Sequence, residues 1–298
     1  MNSNGHIPVL LEEVMEYLAV QRDGIYVDCT VGLGGHASEI LERNTQASLI
    51  GFDIDEKSLL KAKDKLLAHA DRVTLYHSDY RYLADLNIDF KKVRGFLLDL
   101  GLSSFQLDSR ERGFSYHLDG PLDMRMDLRN KITASRILNK YSEPHLSKVF
   151  WEFGEFRQSK KLAHEIVRRR KGNRFETTQQ FFRIIEDVCR WRPQKGRTHP
   201  AAKVFQALRI EVNQELKDLF VFLERIIHNS SPKTRFVAIS FHSLEDRIVK
   251  RVFQSLGPQA DQPPLVNILT KKPITASDDE IGRNSRARSA KLRAVERV

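Results

Sequence analysis

A chain of 298 residues that is 41% hydrophobic and 30% charged has the composition of an ordinary globular protein, which excludes fibrous and intrinsically disordered classes. Its 49 basic residues exceed its 39 acidic ones, and the resulting formal charge of +10 at pH 7 favours a polyanionic partner such as a nucleic acid. No apolar run approaches the roughly 20 residues that cross a bilayer, and the first residues do not resemble a secretory signal, so we predict a cytoplasmic protein with no obligatory membrane partner.

Short apolar runs alternate with helical patterns in the N-terminal part of the chain, which is typical of βα units that build a parallel sheet. A helix carrying Ala37, Ile40 and Leu41 follows the first run, and residues 56–69 show a second helical pattern. The fourth run is almost wholly apolar, as expected for a central parallel strand. The sequence predicts strands at residues 24–30, 48–53, 72–77 and 93–99.

The alternation then stops and later resumes. From about residue 108 to 203 the chain shows only polar, basic helical patterns with aromatic anchors. A loop whose ends lie close together tolerates the insertion of a domain. We therefore predict a sheet domain formed by residues 1–107 and 210–298, interrupted by a helical domain at residues 108–209. After the insertion we predict a helix at 212–228 and strands at 235–241 and 266–269.

A glycine-rich turn follows the first predicted strand, in the segment Asp28-Cys-Thr-Val-Gly32-Leu-Gly34-Gly35-His36-Ala37. Glycines at this point let the backbone turn tightly and approach a ligand before a helix begins. The spacing Gly32-x-Gly34-x-x-Ala37 also satisfies a dinucleotide fingerprint, so NAD is an alternative ligand. A tight βα turn without any ligand is the third interpretation.

Two further polar residues follow the next strands. Asp53 ends the second strand, where a carboxylate can accept hydrogen bonds from both hydroxyls of a ribose, although a solvated loop aspartate is the alternative. Tyr80 follows the third strand, where an aromatic face can stack on adenine; an ordinary half-buried tyrosine is the alternative. The spacing Asp28-x-x-x-Gly32-x-Gly34 favours a methyl donor over NAD.

The fourth strand ends in Asp99-Leu-Gly-Leu-Ser103-Ser104-Phe105-Gln106. Ligands of doubly wound folds collect at the carboxyl ends of the strands, so we predict that Asp99 and Ser103 are catalytic. Oxygens there can accept hydrogen bonds from an exocyclic amine such as that of cytosine, whose conjugation with the ring makes it a poor nucleophile. The alternative is that Asp99 only ends the strand and touches the cofactor.

Basic residues are clustered in three segments, and the two cysteines stand apart. Eight Lys/Arg lie between residues 157 and 174, five between 190 and 203, and six between 283 and 298. Three such runs suggest a track for phosphates, although a charge run by itself is usually a solvated face. Cys29 and Cys189 have no ligand-type neighbours at zinc spacing, so we predict reduced thiols and no metal site.

Taken together, these segments resemble the bacterial 16S ribosomal RNA cytosine-N4 methyltransferases along nearly the whole chain. The departures are small: Ser285 stands where proline is expected and Cys29 where a small residue is usual. Further matching segments are His6-Ile-Pro-Val-Leu-Leu11, Arg112-Gly-Phe-Ser115, Leu122-Asp-Met-Arg-Met126, His199-Pro-Ala-Ala202, Phe205-Gln-Ala-Leu-Arg-Ile-Glu-Val-Asn213, Ser240-Phe-His-Ser-Leu-Glu-Asp-Arg247 and Asn284-Ser-Arg-Ala-Arg-Ser-Ala-Lys-Leu-Arg293.

The resemblance implies an α/β fold with the Rossmann-like sheet of class I S-adenosylmethionine-dependent methyltransferases and an inserted all-helical substrate-recognition domain. It implies direct methylation of the N4 amine of a decoding-centre cytosine in 16S rRNA, within the 30S subunit or a late precursor. The segment from Asp99 to Ser104 stands where other amino methyltransferases carry a Pro-Pro-aromatic motif. By the family pattern, the residues that contact S-adenosyl-L-methionine are Gly34, Gly35, His36, Asp53, Tyr80, Asp99 and Gln106.

Arg209, Asn213 and His242 are the predicted substrate contacts, and for each of them a purely structural role is the alternative. Two other functions stay open at this point. An NAD-dependent oxidoreductase would explain the glycine turn but not the basic clusters, and a ribosome-assembly factor that has lost catalysis would explain the clusters but not the intact turn. The oligomeric state is left undetermined.

Overall fold

The computed structural model describes residues 7–86, 88–193, 198–260 and 262–298. The chain divides into two compact units: a first unit with the residues up to Gly101 and from Leu216 onwards, and a second unit formed by Leu102–Glu215. The sequence analysis predicted the boundaries between the two domains after residues 107 and 209. Three residues of the segments discussed above, His6, Lys195 and Arg197, lie outside the described residues.

The first unit is built on a seven-stranded sheet in the order β3-β2-β1-β4-β5-β7-β6. The first five strands in the chain run parallel, and β7 pairs antiparallel with both β5 and β6. The strands are β1 (Ile25–Asp28), β2 (Ser48–Asp53), β3 (Val73–His77), β4 (Val93–Asp99), β5 (Arg235–Ser240), β6 (Val266–Ile268) and β7 (Lys291–Arg297).

Helices cover both faces of this sheet, because its central strands carry apolar side chains on both sides. Along β4, Leu97 packs on one face while Phe96 and Leu98 pack on the other, which is the period-2 alternation of a strand. The first face is covered by α1 (Leu11–Leu18), α2 (Gly35–Arg43) and α3 (Glu56–Lys65), and the second by α10 (Leu219–Asn229) and α11 (Ser243–Leu256).

An aromatic pair lies at the centre of the second face. The rings of Phe96 and Phe236, from neighbouring strands, stack with centroids 5.2 Å apart, and both side chains are fully buried. We expect Phe96→Ala to lower the free energy of unfolding by about 3–5 kcal/mol, because it leaves a cavity that the sheet cannot close. Urea unfolding measures this change. Leu60→Ala, on the exposed side of α3, is the control and should stay within about 0.5 kcal/mol of the wild type.

One sequence prediction about the C-terminal part of the chain is wrong, and one strand was missed. The segment predicted as one helix at 212–228 is broken between α9 (Pro200–Asn213) and α10, because Gln214 and Asp218 adopt positive φ angles of 52° and 58°. The basic C-terminal segment also contains a strand, β7, which the sequence analysis missed. Its residue Arg293 is only 8% exposed and pairs with Asp246 at 2.6 Å.

The second unit is helical, and three phenylalanines from three of its helices form part of its core. The rings of Phe150, Phe181 and Phe205 are buried, and the centroid of the Phe181 ring lies 6.2 Å from that of Phe150 and 5.3 Å from that of Phe205. Helix α8 begins with a capping box, in which Thr177 and Gln180 each accept a backbone N–H from the other. The helices are α4 (Ser104–Asp108), α5 (Ala134–Lys140), α6 (Glu143–Glu152), α7 (Ser159–Arg169), α8 (Thr178–Cys189) and α9 (Pro200–Asn213).

The last short helix of the first unit is α12 (Asp278–Arg283), whose Glu280 side chain accepts a hydrogen bond from the backbone N–H of Leu10 at 2.8 Å. This bond joins the C-terminal part of the unit to the segment before α1. Among the helices of the described residues, none is both long enough and apolar enough to cross a membrane.

Candidate functional site

Three aspartates end three adjacent strands of the first unit. Asp28 ends β1, Asp53 ends β2 and Asp99 ends β4, so all three lie at the carboxyl edge of the parallel sheet. In open α/β sheets this edge, near the point where the strand order reverses, is where ligands bind. The three carboxyl groups therefore define the candidate site.

Asp53 holds the glycine turn that follows β1. Its Oδ2 accepts a hydrogen bond from the backbone N–H of Gly32 at 2.8 Å, and its Oδ1 accepts one from the N–H of Asp55 at 2.7 Å. Each carboxylate oxygen can accept a second hydrogen bond, so Asp53 keeps capacity for a ligand hydroxyl. The turn requires glycine because Gly32 and Gly34 have φ angles of 54° and 77°.

The other two carboxyl groups share a neighbour, Thr30. Asp28 is only 1% exposed and its Oδ1 accepts the backbone N–H of Thr30, while the Thr30 Oγ1 accepts the backbone N–H of Asp99 at 2.6 Å. The Oδ1 of Asp99 is buried and has no hydrogen-bond partner among the residues that the structure describes. An acceptor held in this way is ready for a donor from a ligand.

Burial raises the pKa of all three carboxyl groups. The pKa of Asp53 is raised to about 6, that of Asp28 to about 7 and that of Asp99 to about 8. Mutual repulsion adds to this effect, since Asp28 further raises the pKa of Asp99, as does Glu245. The carboxyl edge of the sheet is therefore a place where a cationic ligand group would be stabilised.

His36 lies in the first turn of α2 beside Asp99. Its Nε2 lies 3.0 Å from the carbonyl oxygen of Val9, which can only accept, so Nε2 carries a proton. Its Nδ1 then faces the Asp99 Oδ2 at 3.7 Å. Only 6% of the surface of His36 is exposed, so the imidazole is fixed in place beside the Asp99 carboxyl group.

The raised pKa of Asp99 has a consequence for stability. A carboxyl group whose pKa is higher in the folded state than in the unfolded state stabilises the fold at low pH, and this contribution is lost as the pH rises through the folded-state value. We therefore expect Asp99→Asn to gain stability relative to the wild type between pH 4 and pH 8, reaching about 1–3 kcal/mol at pH 9. Urea unfolding at pH 5 and pH 9 measures the difference. A difference that does not change with pH would contradict the assigned burial.

Tyr80 follows β3, as the sequence indicated. Its ring packs edge-on against Phe222 of α10, with the centroids 4.8 Å apart, and burial raises the pKa of its hydroxyl group. Asp79, the residue before Tyr80, caps the short helix that begins at Tyr80 by accepting the N–H of Arg81 at 2.9 Å. The ring is therefore held at the β3 end of the same edge, and its contact with adenine stays a prediction.

Ser103 and Gln106 belong to the second unit and form a capping box at the start of α4. The Ser103 Oγ accepts the backbone N–H of Gln106 at 3.2 Å, and the Gln106 Oε1 accepts that of Ser103 at 3.0 Å. Gln106 is only 4% exposed. Both side chains therefore have structural roles, and the contacts of Ser103 with substrate and of Gln106 with cofactor stay predictions.

Arg209 and Asn213, also in the second unit, are engaged within it. Arg209 forms a two-point ion pair with Glu215, with both distances at 2.9 Å. The Asn213 amide accepts the backbone N–H of Met126 and donates to the carbonyl of Met124, each at 2.7 Å. These bonds match the structural alternative stated for each residue, and a contact with substrate stays a prediction.

His242 caps α11 in the first unit. Its Nδ1 accepts the backbone N–H of Glu245, and its Nε2 lies 3.1 Å from the Glu245 Oε1. Glu245 is 2% exposed and its other oxygen accepts the N–H of Phe241 at 2.9 Å. Sequence reasoning missed Glu245 and Thr30 as residues of this edge. The available signals were the position of Thr30 just after β1 and that of Glu245 in the first turn of the helix that follows β5.

The family model described as the MraW methylase family matches residues 3–298. The chain belongs to the MraW methylase family. It is 46% identical to a Caldicellulosiruptor saccharolyticus protein named ribosomal RNA small subunit methyltransferase H, over 98% of this chain and 99% of that one. A Symbiobacterium thermophilum protein of the same name is 44% identical, over 97% of this chain and 96% of its own. The solved structure of an rRNA methylase from Streptococcus thermophilus aligns over 99% of this chain and 99% of its own, with 10% identity and a TM-score of 0.43.

Family membership and the sheet confirm the predicted fold class. The mixed seven-stranded sheet, with β7 antiparallel between β5 and β6, is that of a Rossmann-like class I methyltransferase. The same match excludes the NAD-dependent oxidoreductase that the glycine turn left open.

Proposed function

We propose that this protein transfers a methyl group from S-adenosylmethionine to the N4 amine of a cytosine in 16S rRNA of the small ribosomal subunit. The observation that carries the proposal is the Asp99 carboxyl group at the end of β4, whose buried Oδ1 has no hydrogen-bond partner within the described part of the chain. The named relatives methylate, by their names, ribosomal RNA of the small subunit.

The residues of the carboxyl edge fit S-adenosylmethionine. Asp53 would accept the ribose hydroxyls, the turn at Gly34 and Gly35 would lie against the cofactor, and Tyr80 would lie beside the adenine. The unpartnered Oδ1 of Asp99 and the carboxyl groups with raised pKa values suit a ligand that carries positive charge. When bound, the cofactor supplies an electrophilic methyl group.

Asp99 has two tasks in the proposed reaction. Its Oδ1 accepts a hydrogen bond from the N4 amine and so weakens the conjugation of the nitrogen lone pair with the cytosine ring, which makes N4 a better nucleophile. After N4 forms its new bond to carbon, the same oxygen takes the proton that the nitrogen releases. Burial favours the neutral form of Asp99, and a cationic cofactor bound beside it would favour the ionised form that takes this proton.

His36 and Thr30 position this acceptor. The Thr30 Oγ1 holds the backbone of Asp99, and the imidazole of His36 limits the rotation of its carboxyl group from the Oδ2 side. An amine attacks directly, so no covalent adduct with the protein is needed, and the buried Cys29, whose pKa is raised by burial, has no role as a nucleophile. Ser103 stays as a second candidate for a hydrogen bond to the amine.

The experiment that tests the proposal compares 16S rRNA from cells with and without the gene. We expect one N4-methylcytidine in the decoding centre to disappear on deletion, to return with the wild-type gene, and not to return with Asp99→Asn. Digestion to nucleosides with mass spectrometry measures it. An unchanged content of N4-methylcytidine in the deletion strain would refute the proposed target.

A ribosome-assembly factor without catalysis is the second candidate, and the basic clusters favour it as much as they favour the enzyme. The two are separated by the Asp99→Asn strain, because an assembly factor would support normal 30S formation whether or not Asp99 is present. Sucrose-gradient profiles of the ribosomal subunits measure this. We propose the 30S subunit or a late precursor as the substrate.

A further inference from the structure

Five aromatic rings form a cluster on the second unit, which we call the aromatic cluster. It consists of Tyr116, His117, Phe182, Trp191 and His199. Tyr116 lies at its centre, with its ring centroid 4.1 Å from that of His117, 5.8 Å from Phe182 and 5.9 Å from His199. Trp191 meets His199 edge-on at 4.5 Å.

The aromatic cluster lies over the hydrophobic core of the second unit without being part of it. Below it, Phe181 and Phe205 are buried, and the Phe205 ring meets that of Tyr116 at 5.7 Å. By contrast, Tyr116, Phe182 and Trp191 are half-exposed and His117 is exposed. Aromatic rings that remain exposed to solvent above a buried core are suited to binding planar ligand groups.

The rings are held in place by backbone contacts. His199 caps α9, because its Nδ1 accepts the backbone N–H of Ala201 at 3.0 Å, and burial lowers the pKa of its ring. The loop that carries Tyr116 is tied to α8 by Thr178, which accepts the N–H of Gly120 at 3.0 Å and donates to the carbonyl of Leu118 at 2.7 Å. A rigid aromatic surface loses little conformational entropy when a partner binds.

Arginines lie next to residues of the aromatic cluster in the sequence. Arg183 follows Phe182, and Arg190 and Arg192 lie on either side of Trp191; all three are exposed. Within the part of the chain that the structure describes, none of these three arginines has an ion-pair partner. The nearby acid is Glu186, whose charge acts on His199. Exposed rings next to unpaired arginines favour a partner that combines flat bases with phosphates.

We infer that the aromatic cluster of the second unit is a stacking site for unpaired RNA bases. The inference rests on the proposed function insofar as that function supplies an RNA substrate. Bases stack on the half-exposed rings of Tyr116, Phe182 and Trp191, while the arginines contact the phosphates that flank them. A protein partner would need apolar side chains to cover the rings and acidic groups to meet the arginines.

The two tryptophans of the chain allow a direct test. Trp151→Phe leaves Trp191 as the only indole, and Trp191→Phe leaves Trp151, which is 58% exposed on α6 and outside the cluster, as the matched control. Each variant of the full chain is titrated with a cytidine-rich RNA hexamer, and tryptophan fluorescence is recorded. We expect saturable quenching with Trp191 as the reporter and none with Trp151. Quenching of Trp151 alone, or of neither, would overturn the inference.

Affinity gives a second readout. We expect Tyr116→Ala and Phe182→Ala each to weaken hexamer binding about five- to a hundredfold, and Tyr116→Phe, which keeps the ring, to change it less than about twofold. Leu118→Ala, on the same loop, is the control. Binding of S-adenosylhomocysteine to each variant verifies that the protein is folded.

The inference and the proposed function fail in different ways. Unchanged hexamer affinity in both alanine variants, with normal methyl transfer to rRNA in the wild type, would overturn the inference alone. Loss of hexamer binding in these variants, with no transfer by the wild type to any rRNA, would support the stacking site and refute the proposed reaction. If a protein bound the wild type but not Tyr116→Ala, and RNA did not affect this binding, the partner of the aromatic cluster would be a protein and not RNA.

Discussion

Asp53→Ala is expected to weaken the binding of S-adenosylmethionine about a hundredfold or more. The side chain acts twice: it fixes the glycine turn through the N–H of Gly32 and, in the proposal, accepts the ribose hydroxyls. Removing a charged acceptor leaves those hydroxyls without their partner, and the turn loses the bond that shapes it. Isothermal titration calorimetry with S-adenosylmethionine and with S-adenosylhomocysteine measures the loss.

Two further variants make this result specific. Asp53→Asn keeps one acceptor oxygen and should lose less affinity than the alanine variant. Asp64→Ala removes an exposed carboxylate from α3 and should bind the cofactor like the wild type. Affinity of Asp53→Ala within about threefold of the wild type would remove Asp53 from the cofactor site, since even one lost charged hydrogen bond has a larger effect.

Asp99→Asn is expected to lower the rate of methyl transfer about 10²- to 10⁴-fold, the range for loss of a positioned proton acceptor or of a charged hydrogen-bond acceptor. The amide keeps the shape of the side chain and an acceptor oxygen, but it cannot take the proton from N4. The affinity for S-adenosylhomocysteine should change less than about fivefold, because the turn and Asp53 remain. Single-turnover transfer of labelled methyl to 30S subunits measures the rate.

Asp89→Asn is the matched control for this prediction. Asp89 precedes β4 at the opposite end of the strand from Asp99, is exposed, and caps a short turn by accepting the N–H of Lys91, a bond that asparagine can also make. It should transfer methyl groups at the wild-type rate. If Asp99→Asn lost affinity for the cofactor in proportion to its lost rate, Asp99 would be a cofactor contact and not the acceptor of the proton.

The parallel part of the fold was predictable because its signals are local. The strands β2 and β4 have the bounds that the apolar runs indicated, and the glycines after β1 lie in a turn with positive φ angles. A buried parallel strand is a continuous apolar run between turn residues, which periodicity detects. The aspartates at the strand ends follow from the same runs, so Asp28, Asp53 and Asp99 were found from the sequence alone.

Strand β7 was not predictable from its composition. It reads Lys-Leu-Arg-Ala-Val-Glu-Arg, so it resembles a charged segment in solution, and it was assigned to a basic cluster. Tertiary pairing makes it a strand: Arg293 finds Asp246 of α11, and Arg235 of β5 pairs with Glu296 at 2.6 Å. Basic residues of this segment therefore neutralise acids of the same unit, which reduces what is left of that cluster for phosphates.

The contacts made by several candidate side chains were also beyond sequence reasoning. The imidazole of His36 meets the carbonyl of Val9, which lies 27 positions away in the chain, and Asn213 meets the backbone of Met124 and Met126, which lie 89 and 87 positions away. Such pairs depend on which loops meet in three dimensions, and no periodicity of the chain encodes that. This is why Arg209 and Asn213 could be named as polar residues without their structural partners.

The most direct test of the central claim is transfer of labelled methyl from S-adenosylmethionine to purified 30S subunits that lack the modification, followed by digestion to nucleosides. The account predicts that the label appears as N4-methylcytidine with the wild-type protein and is absent with Asp53→Ala. Label on any other nucleoside, or no label on 30S subunits, free 16S rRNA or assembly intermediates despite measurable cofactor binding, would contradict it.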